Sequence, residues 1–307
     1  MRALVEPAGS RVLFGTSSWA DRSLVQAGTF YPRRTMKARD RLAFYAGRFP
    51  LAEVAATYRF PPTPELAAQW AERTPDGFVF DVRSWSLLTW APALPDSLWA
   101  DLHGAVPPRL RDRRRLYASH LTAEALEECW ARFAHALRPL VEAGRMGAVV
   151  CQFPPWFTPR PETWAELALL PGRLPGHRVA VELRSPRWFE GESCEPTLEW
   201  LEDHGLALVC VDGPPAGPEV VAATAEVAVV RLAGRRQVDG EPWRSPYRYS
   251  EEELAGWVGR IADLAASCPE VHVLFDNCWG SDAVDNAARL AELVRDGVGA
   301  DAPRSLP

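Results

Sequence analysis

Eight short runs of aliphatic and β-branched residues recur along this chain, separated by segments of helical periodicity, and that alternation limits the folds open to it. The runs are RVLFGTSSW (11–19), LAEVAATY (51–58), FVFDVRSW (78–85), GAVVCQFPP (147–155), RVAVELR (178–184), LALVCVDG (206–213), VAVVRLAG (227–234) and VHVLFDNCWG (271–280). Helical patterns lie at 39–49, 64–74, 122–144, 161–170, 195–205, 250–267 and 281–295, with Thr122 placed as an N-cap, Gly144 as a stop and Ser250 ahead of three glutamates. Strands alternating with helices argue for a parallel sheet. Eight such units point to an α/β fold, a single (β/α)8 TIM-like barrel, with a long insertion after the third strand (86–121). The rival is a doubly wound open sheet, and the absence of a glycine-rich phosphate loop after the first strand counts against it. The sixth connection, PPAGPEVVAATAE, is short and proline-rich, so a reduced helix is expected there. The barrel is expected over 11–297, with 1–10 and 298–307 as flexible termini.

Each run starts apolar and turns polar near its C-terminal end. In a barrel one strand face meets the helices and the other fills the lumen. Around residue 182, Val179, Val181 and Leu183 suit the helix side, which leaves Glu182 and Arg184 inside. The same alternation turns Arg231 and Ala233 inward, and likewise Glu53, Ala55, Thr57, Gln152, Asp212 and Asp276. Active sites of such barrels sit where the strands end. Charges gathered there form either a wet functional pocket or a self-satisfied ion network that closes the barrel top.

Carboxylates facing arginines suit two chemistries. Glu53 and Glu182 could serve as acid and base on a sugar-like molecule, with Arg184 and Arg231 clamping an anionic group. Alternatively Glu53, Glu182, Asp212 and Asp276 could hold Mg²⁺ or Mn²⁺ through oxygen ligands; no other cofactor is expected. No histidine spacing suits zinc. Lys37 is the only lysine and lies in a polar segment, which argues against Schiff-base and pyridoxal-phosphate chemistry. Walker A, G-x-G-x-x-G and G-x-S-x-G motifs are absent. Trp19, Tyr31, Trp85, Trp90, Trp156, Trp188, Trp243, Tyr247, Tyr249 and Trp279 lie in or near post-strand loops. They either stack on a ligand or pack as lids. Arg109, Arg111, Arg113, Arg114 and Arg115 form a basic run in the insertion, which reads as a phosphate-attracting patch for nucleic acid or as a solvated face.

The net charge of −6 argues weakly against a general nucleic-acid coat. No apolar run approaches the roughly 20 residues of a membrane helix, and the N-terminus lacks the apolar stretch of a signal peptide. The six cysteines are scattered without a C-x-x-C pair, as expected of reduced thiols in a cytoplasmic protein.

Several ordered stretches together resemble the YecE-like family, domain of unknown function 72. They are GTSSWADRSLVQAGTFYP (15–32), EVAATY (53–58), FVFDVRSWSLLT (78–89), QFPPWF (152–157), VELRSPRW (181–188), VVRLAGR (229–235), YRYSEEEL (247–254) and FDNCWG (275–280). The resemblance implies a TIM-like barrel and no established reaction. Glu53, Glu182, Arg184, Arg231, Asn277, Tyr247 and Tyr249 match by position. Departures are Ala55 for an acidic or amide residue, Arg83 for a lysine, Ala233 for a histidine, and Asp276 within an F-N-N motif. The losses at Ala55 and Ala233 raise the alternative of a non-catalytic ligand-binding relative. The full candidate set is Glu182, Glu53 and Asp276 as catalytic groups, possessing an isomerase or hydrolase character. Arg184, Arg231, Arg83, Gln152, Asn277, Trp19, Tyr247 and Tyr249 are the substrate contacts.

Overall fold

A computed structural model describes residues 3–6, 9–213, 219–235 and 246–300, with the backbone alone for 298–300. The order of elements is β1 (Leu4–Val5), β2 (Arg11–Thr16), α1 (Arg22–Ala27), α2 (Ala38–Ala46), β3 (Leu51–Val54), α3 (Pro64–Glu72), β4 (Val79–Arg83), α4 (Ala123–Glu142), β5 (Met146–Phe153), α5 (Pro161–Arg173), β6 (Arg178–Leu183), α6 (Cys194–Asp203), β7 (Ala207–Asp212), β8 (Val227–Leu232), α7 (Glu251–Ser267), β9 (Glu270–Phe275) and α8 (Asp282–Ala300). Strands β2 to β9 pair in parallel in sequence order, and β9 pairs back onto β2 from Arg11↔Glu270 to Thr16↔Phe275. The sheet is therefore a closed eight-stranded parallel barrel with helices outside, a (β/α)8 TIM-like fold. All eight anticipated strands are present.

Two clusters of buried apolar side chains show which way each strand faces. Leu13, Leu51, Val79, Ala148, Val150, Ala180, Ala207, Val209, Val227, Val229 and Leu274 fill the lumen. A larger cluster, including Val179, Val181, Leu208, Cys210, Val230 and Phe275, packs between barrel and helices. Glycine serves closeness where the barrel is tight. A Cβ on Gly15 would lie 2.1 Å from the Leu51 carbonyl oxygen, so this residue lets β2 meet β3. Helix starts follow the sequence: the side chains of Thr63, Thr122 and Ser250 accept from the backbone N–H three residues on.

Two local features depart from the sequence reading. Leu4 and Val5 pair antiparallel with Leu13 and Val12, within the stretch assigned to the N-terminal tail. The β2–β3 ladder holds only Gly15↔Leu51 and Thr16↔Ala52, so the lower part of that edge is left for β1. Helix α1 was not anticipated; Asp21 caps it and Gly28 ends it in the left-handed region. Among the described residues of the β7–β8 connection, 219–226, there is no helix, as the composition suggested. The insertion after β4 consists of short 3-10 turns, tied by a two-way backbone bridge between Ala93 and Leu116 (2.8 and 2.9 Å). None of the six cysteines is disulfide-bonded, and no described helix is long and apolar enough to cross a membrane.

Candidate functional site at the C-terminal mouth of the barrel

Strand parity brings Glu53, Arg83, Gln152, Glu182, Arg231 and Asp276 to the C-terminal end of the lumen, with Arg184 just beyond β6. Arg231 is the hub and is fully buried. Its Nε donates to Glu182 Oε2 (2.7 Å), and its Nη1 to Ser17 Oγ (3.1 Å), Glu53 Oε1 (3.1 Å) and Asp276 Oδ2 (3.2 Å). Its Nη2 closes on Glu53 Oε2. Arg83 donates from Nε to Glu53 Oε1 (3.0 Å) and from Nη2 to Glu53 and to Asp276 Oδ2 (3.1 Å). Arg184 Nε donates to Glu182 Oε1 (2.6 Å). Three acids and three guanidinium groups thus interlock, an arrangement that offsets the cost of burying each charge.

Burial alone would raise the Glu182 carboxyl, but Arg184, Arg231 and Arg83 outweigh it and hold the group down at about 2. Burial likewise opposes the charge on Arg231, and Glu53, Glu182 and Asp276 raise its pKa well above the usual arginine range. A carboxyl held that low is a weak base and carries no proton to donate near neutrality. The network reaches solvent through Arg83, Arg184 and Asp276, whose side chains are 11%, 17% and 24% exposed.

Among the described residues three side chains of this network keep unpaired atoms, the first being Arg83, whose Nη1 has no acceptor. Among the described residues, Nη1 and Nη2 of Arg184 have no hydrogen-bond acceptor, since Glu182 takes only Nε. Gln152 is register partner of Glu182, and its buried Oε1 has no donor among the described residues. Tyr58 lies close to the Gln152 side chain and in the field of Arg184, Arg83 and Glu182; burial is the main cause of its raised pKa. Sequence reasoning passed over Tyr58, although it closes the EVAATY motif.

The remaining candidates have other partners. Asp212 does not face the lumen. Ala207 and Val209 fill the interior, so Leu208, Cys210 and Asp212 turn outward, where Asp212 accepts from Arg235 and from Trp257 Nε1 on α7 (all 2.8 Å). The inward placement of Ala55 and Thr57 by alternation also fails, because 55–58 wind into a 3-10 turn. Thr57 Oγ1 lies within reach of the Val54 and Arg83 carbonyls (2.6 and 2.5 Å). Trp19 packs edge-on against Trp70 and Phe80 on the helix side. Asn277 Nδ2 donates to the Tyr247 carbonyl (2.8 Å) and to Asn286 (3.1 Å), which also holds the Tyr249 backbone. The Tyr249 hydroxyl accepts from Gly234 N–H (2.9 Å), and the Tyr247 hydroxyl binds Glu253. Asn277, Tyr247 and Tyr249 thus clamp the β8–α7 connection rather than join the charged cluster. Of the loop aromatics, Trp85, Trp188 and Tyr31 are buried, whereas Trp156 and Trp279 are exposed; Trp243 lies outside the described residues.

A second charged group, which sequence reading did not assemble, occupies the lower lumen. His272 Nδ1 meets Asp81 Oδ2 (2.9 Å), its Nε2 meets Glu270 Oε1 (2.8 Å), and Glu270 accepts from Arg178 (2.8 Å) and Arg11 (2.9 Å). Asp81 also accepts from Ala148 N–H (2.7 Å). Burial opposes protonation of the imidazole, yet Asp81 and Glu270 raise its pKa to about 9. Among the described residues no group of three or more acids, histidines or cysteines is placed to hold a metal ion. Asp212 is turned away, and Glu53, Glu182 and Asp276 are engaged by guanidinium groups.

The family model described as "Protein of unknown function DUF72" matches residues 13–306. The chain belongs to the DUF72 family. It is 27% identical over 309 residues to the UPF0759 protein YunF of Bacillus subtilis (strain 168), covering 96% of this chain and 99% of that one. A DUF72 family protein of Enterococcus faecalis V583 has the same fold, with TM-score 0.71 and 22% identity over 92% of this chain and 97% of that one. Another, from Thermotoga maritima MSB8, gives TM-score 0.69 and 26% identity over 92% and 98%. In DUF72 terms the VELRSPRW and EVAATY stretches supply the two glutamates that meet on Arg231.

Proposed function

We propose that this DUF72 protein binds a small anionic molecule, phosphorylated or sugar-like, at the C-terminal mouth of the barrel, with Arg184 as its principal contact. One observation carries the reading. In a network where Arg231 is spent on its partners and Arg83 gives two of its three nitrogens to carboxylates, Arg184 keeps both terminal nitrogens unpaired among the described residues, next to solvent. A guanidinium edge of that kind suits a carboxylate or phosphate bound by two parallel hydrogen bonds. The low pKa of Glu182 favours binding over proton transfer by that residue, so no reaction is assigned. The same feature, with alanine at positions 55 and 233 where the family resemblance leads one to expect polar side chains, supports the reading as a ligand-binding relative.

A second reading rests on the insertion. Arg109, Arg111, Arg113, Arg114 and Arg115 are all exposed, and only Arg111 has a side-chain partner among the described residues, the Val106 carbonyl (3.0 Å). That surface suits the phosphates of a nucleic acid. Calorimetric titration with inorganic phosphate, glycerol phosphate and an oligonucleotide separates the two. The mouth reading predicts small-anion binding that is lost in Arg184→Gln and kept in R113Q/R114Q/R115Q. Loss only in the triple variant, with oligonucleotide binding that falls steeply with salt, would favour the insertion instead.

A further inference from the structure

The anion reading leaves the rest of the ligand open, and Gln152 narrows it. Gln152 follows Ala148 and Val150 on the lumen face of β5, so its side chain projects into the mouth. It is 6% exposed, and among the described residues its Oε1 has no donor. A buried amide oxygen left unpaired is costly, and native interiors rarely keep one. An amide oxygen accepts and cannot donate, so the missing partner is an O–H or N–H group. Among the described residues no donor reaches it: Arg231 is committed to Glu53, Glu182, Asp276 and Ser17, Arg83 gives its Nε and Nη2 to Glu53 and Asp276, and the Tyr58 hydroxyl, though close to Gln152, makes no hydrogen bond to Oε1.

The unmet groups are neighbours. Gln152 pairs with Glu182 across the β5–β6 ladder, and Arg184 stands two residues further on, its backbone N–H donating to the Phe153 carbonyl (3.3 Å). Two residues along a strand span about 7 Å of backbone. The β5–β6 register therefore places an acceptor in want of a donor and a cation in want of an anion at the adjoining ends of two neighbouring strands.

From this juxtaposition we infer that the ligand is a hydroxylated anion: a compact molecule whose carboxylate or phosphate meets the Nη edge of Arg184 while a nearby hydroxyl donates to Gln152 Oε1. The inference rests on the anion reading above and adds the hydroxyl. Hydroxy acids and polyol phosphates share this chemistry, whereas plain fatty acids and fully deprotonated anions such as sulfate lack the donor. Sites built to hydrogen-bond a hydroxyl discriminate strongly against analogues without it, because the protein group is then left unpaired.

The test is calorimetry on the whole protein with two matched pairs, glycolate against acetate and glycerol 3-phosphate against propyl phosphate. The hydroxylated member of at least one pair should bind about tenfold or more tightly than its deoxy partner. Which pair shows the effect tells carboxylate from phosphate. In Gln152→Leu that ratio should fall towards one, with the deoxy affinity unchanged. Equal affinities within both pairs for the wild-type protein overturn the hydroxyl inference while leaving the anion reading intact, and this comparison stands whether or not the variant folds. A ratio that persists in Gln152→Leu also overturns it. If no member of either pair binds, the anion reading falls as well.

Discussion

Arg231 shows what a single buried charge does in this barrel. It serves Glu53, Glu182, Asp276 and Ser17 at once, so replacing it by methionine would leave two fully buried carboxylates short of a partner. Removing one member of a buried pair costs about 3–5 kcal/mol. Chemical denaturation of Arg231→Met should show a loss of that size, and a loss below about 1 kcal/mol would mean that Arg83 and Arg184 can cover the gap. His272 gives a pH signature of opposite origin to that of Glu182. Its folded pKa of about 9 exceeds the ordinary 6.5, so its contribution is complete below pH 6.5 and is lost as pH rises towards 9. Stability should decline over that window, and His272→Gln should flatten the decline; an unchanged slope would rule out His272 as its source. At this scale the upper cluster was legible because Glu182, Arg184 and Arg231 interrupt strands with an evident apolar face. Asp212 was misplaced because both faces of LALVCVDG are apolar, which leaves alternation without a reference. Asp81 and His272 were overlooked although each shares the inward parity of a recognised residue, Arg83 and Asp276 respectively.

The elements were easier to read than their ends. Strands buried on both faces give continuous apolar runs with polar tips, and the seven longer helices carry periodic apolar faces. Helix α1 buries only Leu24 and has six residues, too few to establish a period. Strand β1 is two residues long and exists because β2 has a spare edge, a fact about three-dimensional pairing that no local pattern carries. The turn at 55–58 likewise ends an alternation that the sequence alone extends to Tyr58. Close strand contact yields a prediction at this scale. A Cβ on Gly147 would lie 2.3 Å from Asp81 Oδ1 and 2.7 Å from a Val79 methyl. Gly147→Ala should therefore displace Asp81 from His272 and cost about 1–3 kcal/mol, the usual cost of overpacking. Thermal denaturation measures this, and an unaltered midpoint would mean that β4 yields freely.

For the molecule as a whole, the barrel sorts its charges into two levels. The lower group of Asp81, His272, Glu270, Arg178 and Arg11 sits towards the strand starts, and the upper group opens at the strand ends. Guanidinium nitrogens without an acceptor occur in both, on Arg11 and Arg178 below and on Arg184 above, but among the described residues only the upper group holds a buried oxygen without a donor. That asymmetry agrees with the general placement of function at the C-terminal face of such barrels. The most direct measurement is a crystal structure of the protein grown with glycerate. The account predicts the carboxylate on the Arg184 terminal nitrogens and a hydroxyl on Gln152 Oε1, with the Arg231 network unmoved. An empty mouth, or glycerate seated only among the insertion arginines, would contradict it.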